Sequence, residues 1–264
     1  MLSGFDYVLA GLAAVVAGII NALAGGGTLI TFPTLLALGV SPIAANVTNT
    51  IALCPGFIGG MLAQFKDLAG QRRRFWLFMV SSSIGGLTGS ILLLRTGERA
   101  FMSLVPYLLL AASLLLAIQG LVRRWLQRRS IRLDAGANSE TWAIILAGVA
   151  AIYGGYFGVA MSVVVLCMLG LMIRDSLTRL NAIKQTVAFG ANGTAAVLFI
   201  FSDKVVWSVA LVMAVGALIG GTLGGRLAVR IGPDALRWTV VAIGIVLAII
   251  YFLQSDVVST LLNA

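Results

Sequence analysis

Asn21-Ala22-Leu23-Ala24-Gly25-Gly26-Gly27-Thr28 decides how this chain folds. The stretch closes the apolar run Phe5–Ala24 and precedes a second apolar run, Thr28–Leu38, too short to cross a bilayer comfortably. Three consecutive glycines weaken a helix, because glycine gains the most freedom when the backbone unwinds. In lipid an unwound backbone persists only where protein buries it or where it lines a cavity. The reading is therefore a helix that enters the membrane, breaks, and continues as a short re-entrant element. That element would begin with N–H groups aimed into the protein, a setting that favours anions. Gly25, Gly26, Gly27 and the Thr28 hydroxyl are the first candidate binding residues. The same glycines also suit a tight hairpin between closely packed helices.

Outward from this break the chain stays apolar. Of its 264 residues 60% are hydrophobic and 10% charged, and the mean hydropathy is +1.05. Soluble domains keep about a quarter of their residues charged, so this chain is expected to turn its surface to lipid. The remaining apolar segments are Ile43–Phe65, Phe75–Leu94, Phe101–Val122, Trp142–Val159, Ser162–Ile173, Leu177–Phe201, Val205–Ala228 and Ala235–Leu253. Sustained alternation with period two is absent, which argues against a β-barrel. Ser162–Ile173 is again short and again follows a glycine-rich break, Gly154-Gly155-Tyr156-Phe157-Gly158.

The second break belongs to a repeat. At an offset of 135 residues Ser41 falls on Ser176, Asn46 on Asn181, Gly85 on Gly220, Gly86 on Gly221, Gly89 on Gly224, Arg95 on Arg230 and Gly97 on Gly232. Near the first break the register slips by two residues or so. Two halves of five elements each follow: residues 1–122, a basic linker 123–141, and residues 142–264. Arginine and lysine placement decides their relative sense. If the short elements return to their starting side, the halves are inverted. One side then carries 14 basic residues: Lys66, Arg72, Arg73, Arg74, Arg123, Arg124, Arg128, Arg129, Arg132, Arg174, Arg179, Arg226, Arg230 and Arg237. The other carries Arg95, Arg99 and Lys204. Parallel halves would divide the charges ten against seven. Basic loops face the cytoplasm, so the strong asymmetry selects an all-α polytopic protein of two inverted repeats, with both termini outside and the linker inside.

Each half carries a polar turn. Ser41 and Ser176 read as N-caps, the former with Pro42 at the first helical position. Beyond Ser41 lie Asn46, Thr48, Asn49 and Thr50, of which Asn46, Asn49 and Thr50 share a helix face. Polar groups are costly against lipid and should point inward. The matching turn contains Asn181, Lys184 and Gln185, and Lys184 is the one charge well inside an apolar segment. An intramembrane cation is a functional residue by default, although a lysine two turns from a helix start also snorkels to the interface. Interhelical hydrogen bonding is the alternative use of the asparagines and threonines.

Other chemistry finds little material. Histidine is absent, Cys54 and Cys167 lie in apolar segments without metal spacing, and no carboxylate lies deep in an apolar segment. No catalytic residue, cofactor or metal is expected, and an enzyme is disfavoured. The net charge of +9 is explained by the loops rather than by nucleic acid. The expected partners are a small anion and the bilayer, and self-association as a homodimer is compatible with the sequence.

The run from Asn21 to Pro33, followed by Leu38-Gly39-Val40-Ser41-Pro42 through Asn46-Val47-Thr48-Asn49-Thr50 to Pro55-Gly56, resembles the TauE/SafE sulfite-exporter family of permeases. Ile152 to Gly158 and Arg179-Leu180-Asn181-Ala182-Ile183-Lys184-Gln185 resemble that family's second half. The chain departs from it at Val159–Ser162, where the family often carries more glycine. The resemblance implies export of sulfite, sulfonates or related small sulfur anions across the bacterial inner membrane. Import, another small anion, or a non-transporting membrane scaffold are the alternatives.

Overall fold

The computed structural model describes residues 3–23, 26–129, 138–173, 175–227 and 233–262. Among them lie ten α-helices: α1 Gly4–Leu23, α2 Thr28–Ala37, α3 Pro42–Ala63, α4 Arg72–Arg95, α5 Glu98–Arg129, α6 Asn138–Tyr156, α7 Met161–Met172, α8 Leu177–Ile200, α9 Trp207–Leu227 and α10 Pro233–Leu262. Every expected apolar segment is one of these helices, and no strand occurs among the described residues. At 1.5 Å per residue α2 and α7 reach only about 15 and 18 Å, well short of a bilayer core of about 30 Å. The helix segments Gly4–Asn21, Arg72–Arg95 and Glu98–Val122 are long and apolar enough to cross a membrane. Both boundaries of the basic linker differ from expectation. Helix α5 runs on to Arg129 and α6 begins at Asn138, so the start of the linker is helical, as its leucine, glutamine and arginines favour, and so is its end. Residues 130–137 lie outside the described ones.

The protein is apolar outside, and small residues line the buried face of α1. Phe5, Leu12, Trp76, Ile84, Leu121 and Val215 are exposed, whereas Ala10, Ala14 and Ala17 are fully buried. Lipid removes any hydrophobic reward for burying large side chains, so close packing of small ones holds such helices together.

The halves interlock. Helix α1 packs on α9 of the other half, and α6 packs on α4. Helix α3 faces α8, and α5 faces α10. Exchanging the halves maps these pairings onto themselves. The closest approaches are made at glycine. A Cβ at Gly85 would collide with the Gly148 carbonyl, and one at Gly89 with the Ile152 carbonyl. A Cβ at Gly216 would collide with the Gly11 carbonyl, and one at Gly220 with the Val15 carbonyl. Gly85 thus corresponds in packing to Gly216, and Gly89 to Gly220. This corrects the sequence alignment, which set Gly85 on Gly220: the packing match lies one helical turn earlier. A slide of four residues keeps a helix face in place, so the sequence match and the packing match use the same stripe.

Side-chain contacts gather the helix ends into two groups. At one end Arg74 of α4 meets Glu140 of α6 through two bonds of 3.0 and 3.3 Å, and Asp175 before α8 at 3.1 Å. Arg179 of α8 donates to the Ala69 carbonyl at 3.3 Å and pairs with Asp175 at 3.5 Å. Asn181 of α8 reaches Gln64, just past α3. At the other end Glu98, opening α5, accepts from the Ser41 hydroxyl and the Ile43 N–H, both at 3.0 Å. Thr48 accepts from Val206 N–H before α9 at 3.0 Å, and Tyr7 of α1 donates to Ser208 at 3.1 Å. Ser176 caps α8 as expected, accepting from Arg179 N–H at 3.3 Å. Ser41 does not cap α3: its hydroxyl goes to Glu98, whose carboxylate takes over the helix start.

Candidate functional site

The first break is a closed polar knot. Gly26 has φ +94°, a left-handed conformation that glycine adopts freely. Gly27 is buried so closely against α1 that a Cβ would meet the Ala17 carbonyl. Its N–H donates to Asn21 Oδ1 at 2.8 Å. Leu29 N–H returns to the Gly26 carbonyl at 2.9 Å, and Ile30 N–H to the Gly27 carbonyl at 3.0 Å. The amides that the sequence reading offered to an anion at these positions are therefore committed within the protein. From α3, Asn49 completes the knot: its Oδ1 accepts from the Thr31 hydroxyl at 2.5 Å, and its Nδ2 donates to Thr28 Oγ1 at 3.3 Å. Thr31 and Asn49 are buried, while Thr28 is half-buried. Gly25 lies outside the described residues.

The second break is built from apolar parts. Gly158 has φ +77° and Ala160 φ +60°, the latter strained for a residue with a Cβ. The Tyr153 hydroxyl anchors the loop by donating to the Val159 carbonyl at 2.8 Å. Met161, buried, opens α7 where Thr28 opens α2. Phe157 packs edge-on against Phe32 of α2, with centroids 5.3 Å apart, and Phe32 lies edge-on to Phe101 at 6.3 Å. An aromatic cluster thus joins the second break to the first half's short helix.

Asn46 donates through Nδ2 to the Tyr156 carbonyl at 2.8 Å, so it too ties the halves together. The Thr50 hydroxyl returns to the Asn46 carbonyl at 2.9 Å. In the second half Asn181 Nδ2 donates to Gln64 Oε1 at 2.9 Å. Lys184 and Gln185, both half-buried, follow on the next turn of α8. The two polar turns are not one cluster. The Asn181–Gln64 bond sets the start of α8 beside the end of α3, and α3 rises about 22 Å between Asn49 and Gln64. Lys184 is then roughly 18 Å along the helix pair from Asn49. The match of Lys184 with Asn49 in sequence is a match of position in each half, not of neighbourhood.

Several residues escaped the sequence reading. Asn21, six residues before Gly27, caps the break, and Thr31, one turn beyond Thr28 on the same face, is a signal that spacing alone carried. Glu98 and Tyr156 act across long sequence separations and left no local trace, whereas Tyr153 acts on Val159 six residues on. Among the described residues no group of three histidines, cysteines or carboxylates is placed to hold a metal.

Comparison with known proteins adds identity to this geometry. The family model described as "Sulfite exporter TauE/SafE" matches residues 10–251. The chain is 28% identical over 242 residues to "Probable membrane transporter protein YfcA" of Escherichia coli K12, covering 89% of this chain and 85% of that protein. It is 26% identical over 226 residues to "Probable membrane transporter protein" of Haemophilus influenzae, covering 86% of each. It is 25% identical over 240 residues to "Probable membrane transporter protein ORF9" of Sinorhizobium sp, covering 90% of this chain and 89% of that protein. No solved structure matches the chain.

Proposed function

The chain belongs to the TauE/SafE family of membrane transporters, and on that premise we propose that it exports small sulfur-containing oxyanions, such as sulfite or sulfonates, across the bacterial inner membrane. The observation that carries this reading is the buried Asn–Thr knot around the glycine break. Polar side chains are held there inside a protein whose outer faces are apolar, the setting in which transporters place their cargo sites. An inside-negative potential favours loss of an anion by about 2.3 kcal/mol per charge per 100 mV, so export needs no intramembrane carboxylate.

We read the halves as inverted and the protein as multi-pass. Two facts support this. Helices α4, α6 and α8 start within one group of contacts, around Arg74 and Asp175, whereas α3, α5 and α9 start within the other, around Glu98 and Val206. The matched helices α3 and α8 thus begin at opposite ends. Lys66, Arg72, Arg73, Arg74, Arg179 and, where α5 ends, Arg123, Arg124, Arg128 and Arg129 belong to the first end, and Arg95, Arg99 and Lys204 border the starts of α5 and α9 at the second, the asymmetry expected of a cytoplasmic and an outer face.

Because the polar turns are separated, the cargo meets them in succession. Lys184, with Asn181 and Gln185, forms a station toward the basic face and attracts the anion. Gly26, Gly27, Thr28, Asn46, Asn49 and Thr50 form the station beyond. Proteoliposomes loaded with sulfite, sulfoacetate or taurine test the function. Efflux of at least one of them, rising with an inside-negative potential where the compound is an anion, is the expected result, and absence of flux for every sulfur compound sinks the reading. Lys184→Gln is expected to cut anion flux at least ~10-fold, the loss of one charged contact of about 1.4 kcal/mol. Wild-type flux in that variant removes the charge role.

A further inference from the structure

Asn46 is 1% exposed, and its amide can sit only one way round. The Tyr156 carbonyl beside it accepts and cannot donate, so Nδ2 must face that carbonyl and Oδ1 must face away. Oδ1 has no hydrogen-bond partner. The repeat-matched Asn181 has the same pattern, with Nδ2 donated across to the other half and a buried Oδ1 left unpartnered. An unpaired buried polar atom costs free energy comparable to a lost hydrogen bond, and each such atom calls for an explanation. Asn46 Oδ1 also lies beside the second break, where Gly158 and Ala160 leave right-handed geometry. The Tyr156 carbonyl, held on the same amide, is an acceptor as well.

We propose that Asn46 Oδ1 accepts a hydrogen bond from the transported molecule, so that the cargo carries an O–H or N–H donor besides its anionic group. This rests on the transport reading above and narrows it. It makes Asn46 an acceptor for the cargo, where an anion alone would call for a donor. Hydroxy- and ammonio-sulfonates and hydrogen sulfite qualify. Fully deprotonated sulfate does not, because its oxygens would face another acceptor in a dry site, where opposed lone pairs repel and neither oxygen is satisfied. A cell that exports toxic or surplus sulfur compounds in this way keeps its sulfate.

Two probe pairs test the proposal in proteoliposomes. The first is 2-hydroxyethanesulfonate against propane-1-sulfonate, which share charge and size and differ by hydroxyl for methyl. The second is sulfite against sulfate near neutral pH, where only sulfite has a protonated form in quantity. In whichever pair moves, the donor-bearing member is expected to be preferred at least ~10-fold, as one buried hydrogen bond supplies. Asn46→Leu is expected to level the preference. Where that variant is not recovered folded, Asn46→Ser serves, since its shorter side chain withdraws the oxygen. Equal movement within either pair, or a preference that survives in the folded variant, overturns the proposal and leaves transport standing. No movement of any of the four overturns the proposal, and if taurine and sulfoacetate are also still, the transport reading falls with it.

Discussion

The two breaks stand before the two short helices, α2 and α7, and are built from different materials. The first is polar: Asn21 caps Gly27, and Asn49 binds Thr28 and Thr31. The second is apolar: Met161 stands where Thr28 does, the Tyr153 hydroxyl replaces the asparagine as anchor, and Phe157 plugs into Phe32 and Phe101. The interfaces between halves, in contrast, are alike down to the carbonyl each glycine touches. Packing tolerates no variation, since a methyl at Gly89 or Gly220 would collide with backbone. A loop facing the interior tolerates any chemistry that satisfies its polar atoms. The frame between the halves is therefore alike where the two breaks differ.

The frame should break first and hardest. Gly89→Leu and Gly220→Leu each drive a side chain into a carbonyl and should cost about 3 kcal/mol or more, read as loss of monodisperse protein in detergent. Gly86→Leu, blocked by the Ala191 backbone, should behave the same, while Gly221→Leu, with nothing within 4 Å, should be recovered normally. Equal sensitivity at Gly86 and Gly221 would restore the 135-residue match and undo the packing correspondence. Next in size is Asn49→Leu, which strands the Thr28 and Thr31 hydroxyls and should cost about 2 kcal/mol, measured by thermal unfolding. A loss that small or smaller at Asn49 but larger at Tyr153→Phe would mean that the second break, not the first, is the polar keystone. Smallest are the caps. Glu98→Gln weakens a charge-assisted bond at the start of α3 and should cost about 1 kcal/mol. Ser176→Ala, at a local cap on a more exposed turn, should cost about 0.5–1 kcal/mol.

How much of this could be read from the residues depends on the range of the interaction. All ten helices were legible, because apolar runs and breaks are local. The break before Thr28 and the cap at Ser176 were legible for the same reason. The alignment of Gly85 with Gly220 was one turn out, because a glycine stripe repeats every turn and identity cannot say which rung touches the partner. The fate of Ser41 was hidden in Glu98, 57 positions away, and the direction of the Asn46 amide in the Tyr156 carbonyl, 110 positions away. Asn46, Asn49 and Thr50 do share an interior face. Their donors serve the protein, which no spacing rule distinguishes from serving a ligand. Lys184 and Asn49, which the 135-residue offset aligns, sit far apart, because α8 starts beside the end of α3.

The crossing of α1 onto α9 and of α6 onto α4 has a consequence for the protein's birth. Helix α4 is already in place when α6 emerges from the ribosome, and the two can dock at once. Helix α1 has no such companion: its glycine groove is completed by a helix made some two hundred residues later. A segment made early is thus seated late. In lipid that delay is harmless to an apolar helix, but it leaves Asn21 and the unwound glycines in need of shelter. A translocon or insertase that holds α1 until α9 arrives would set the pace of assembly. A chain cut in the linker should be rescued by co-expressing both pieces, because each half carries what the other lacks.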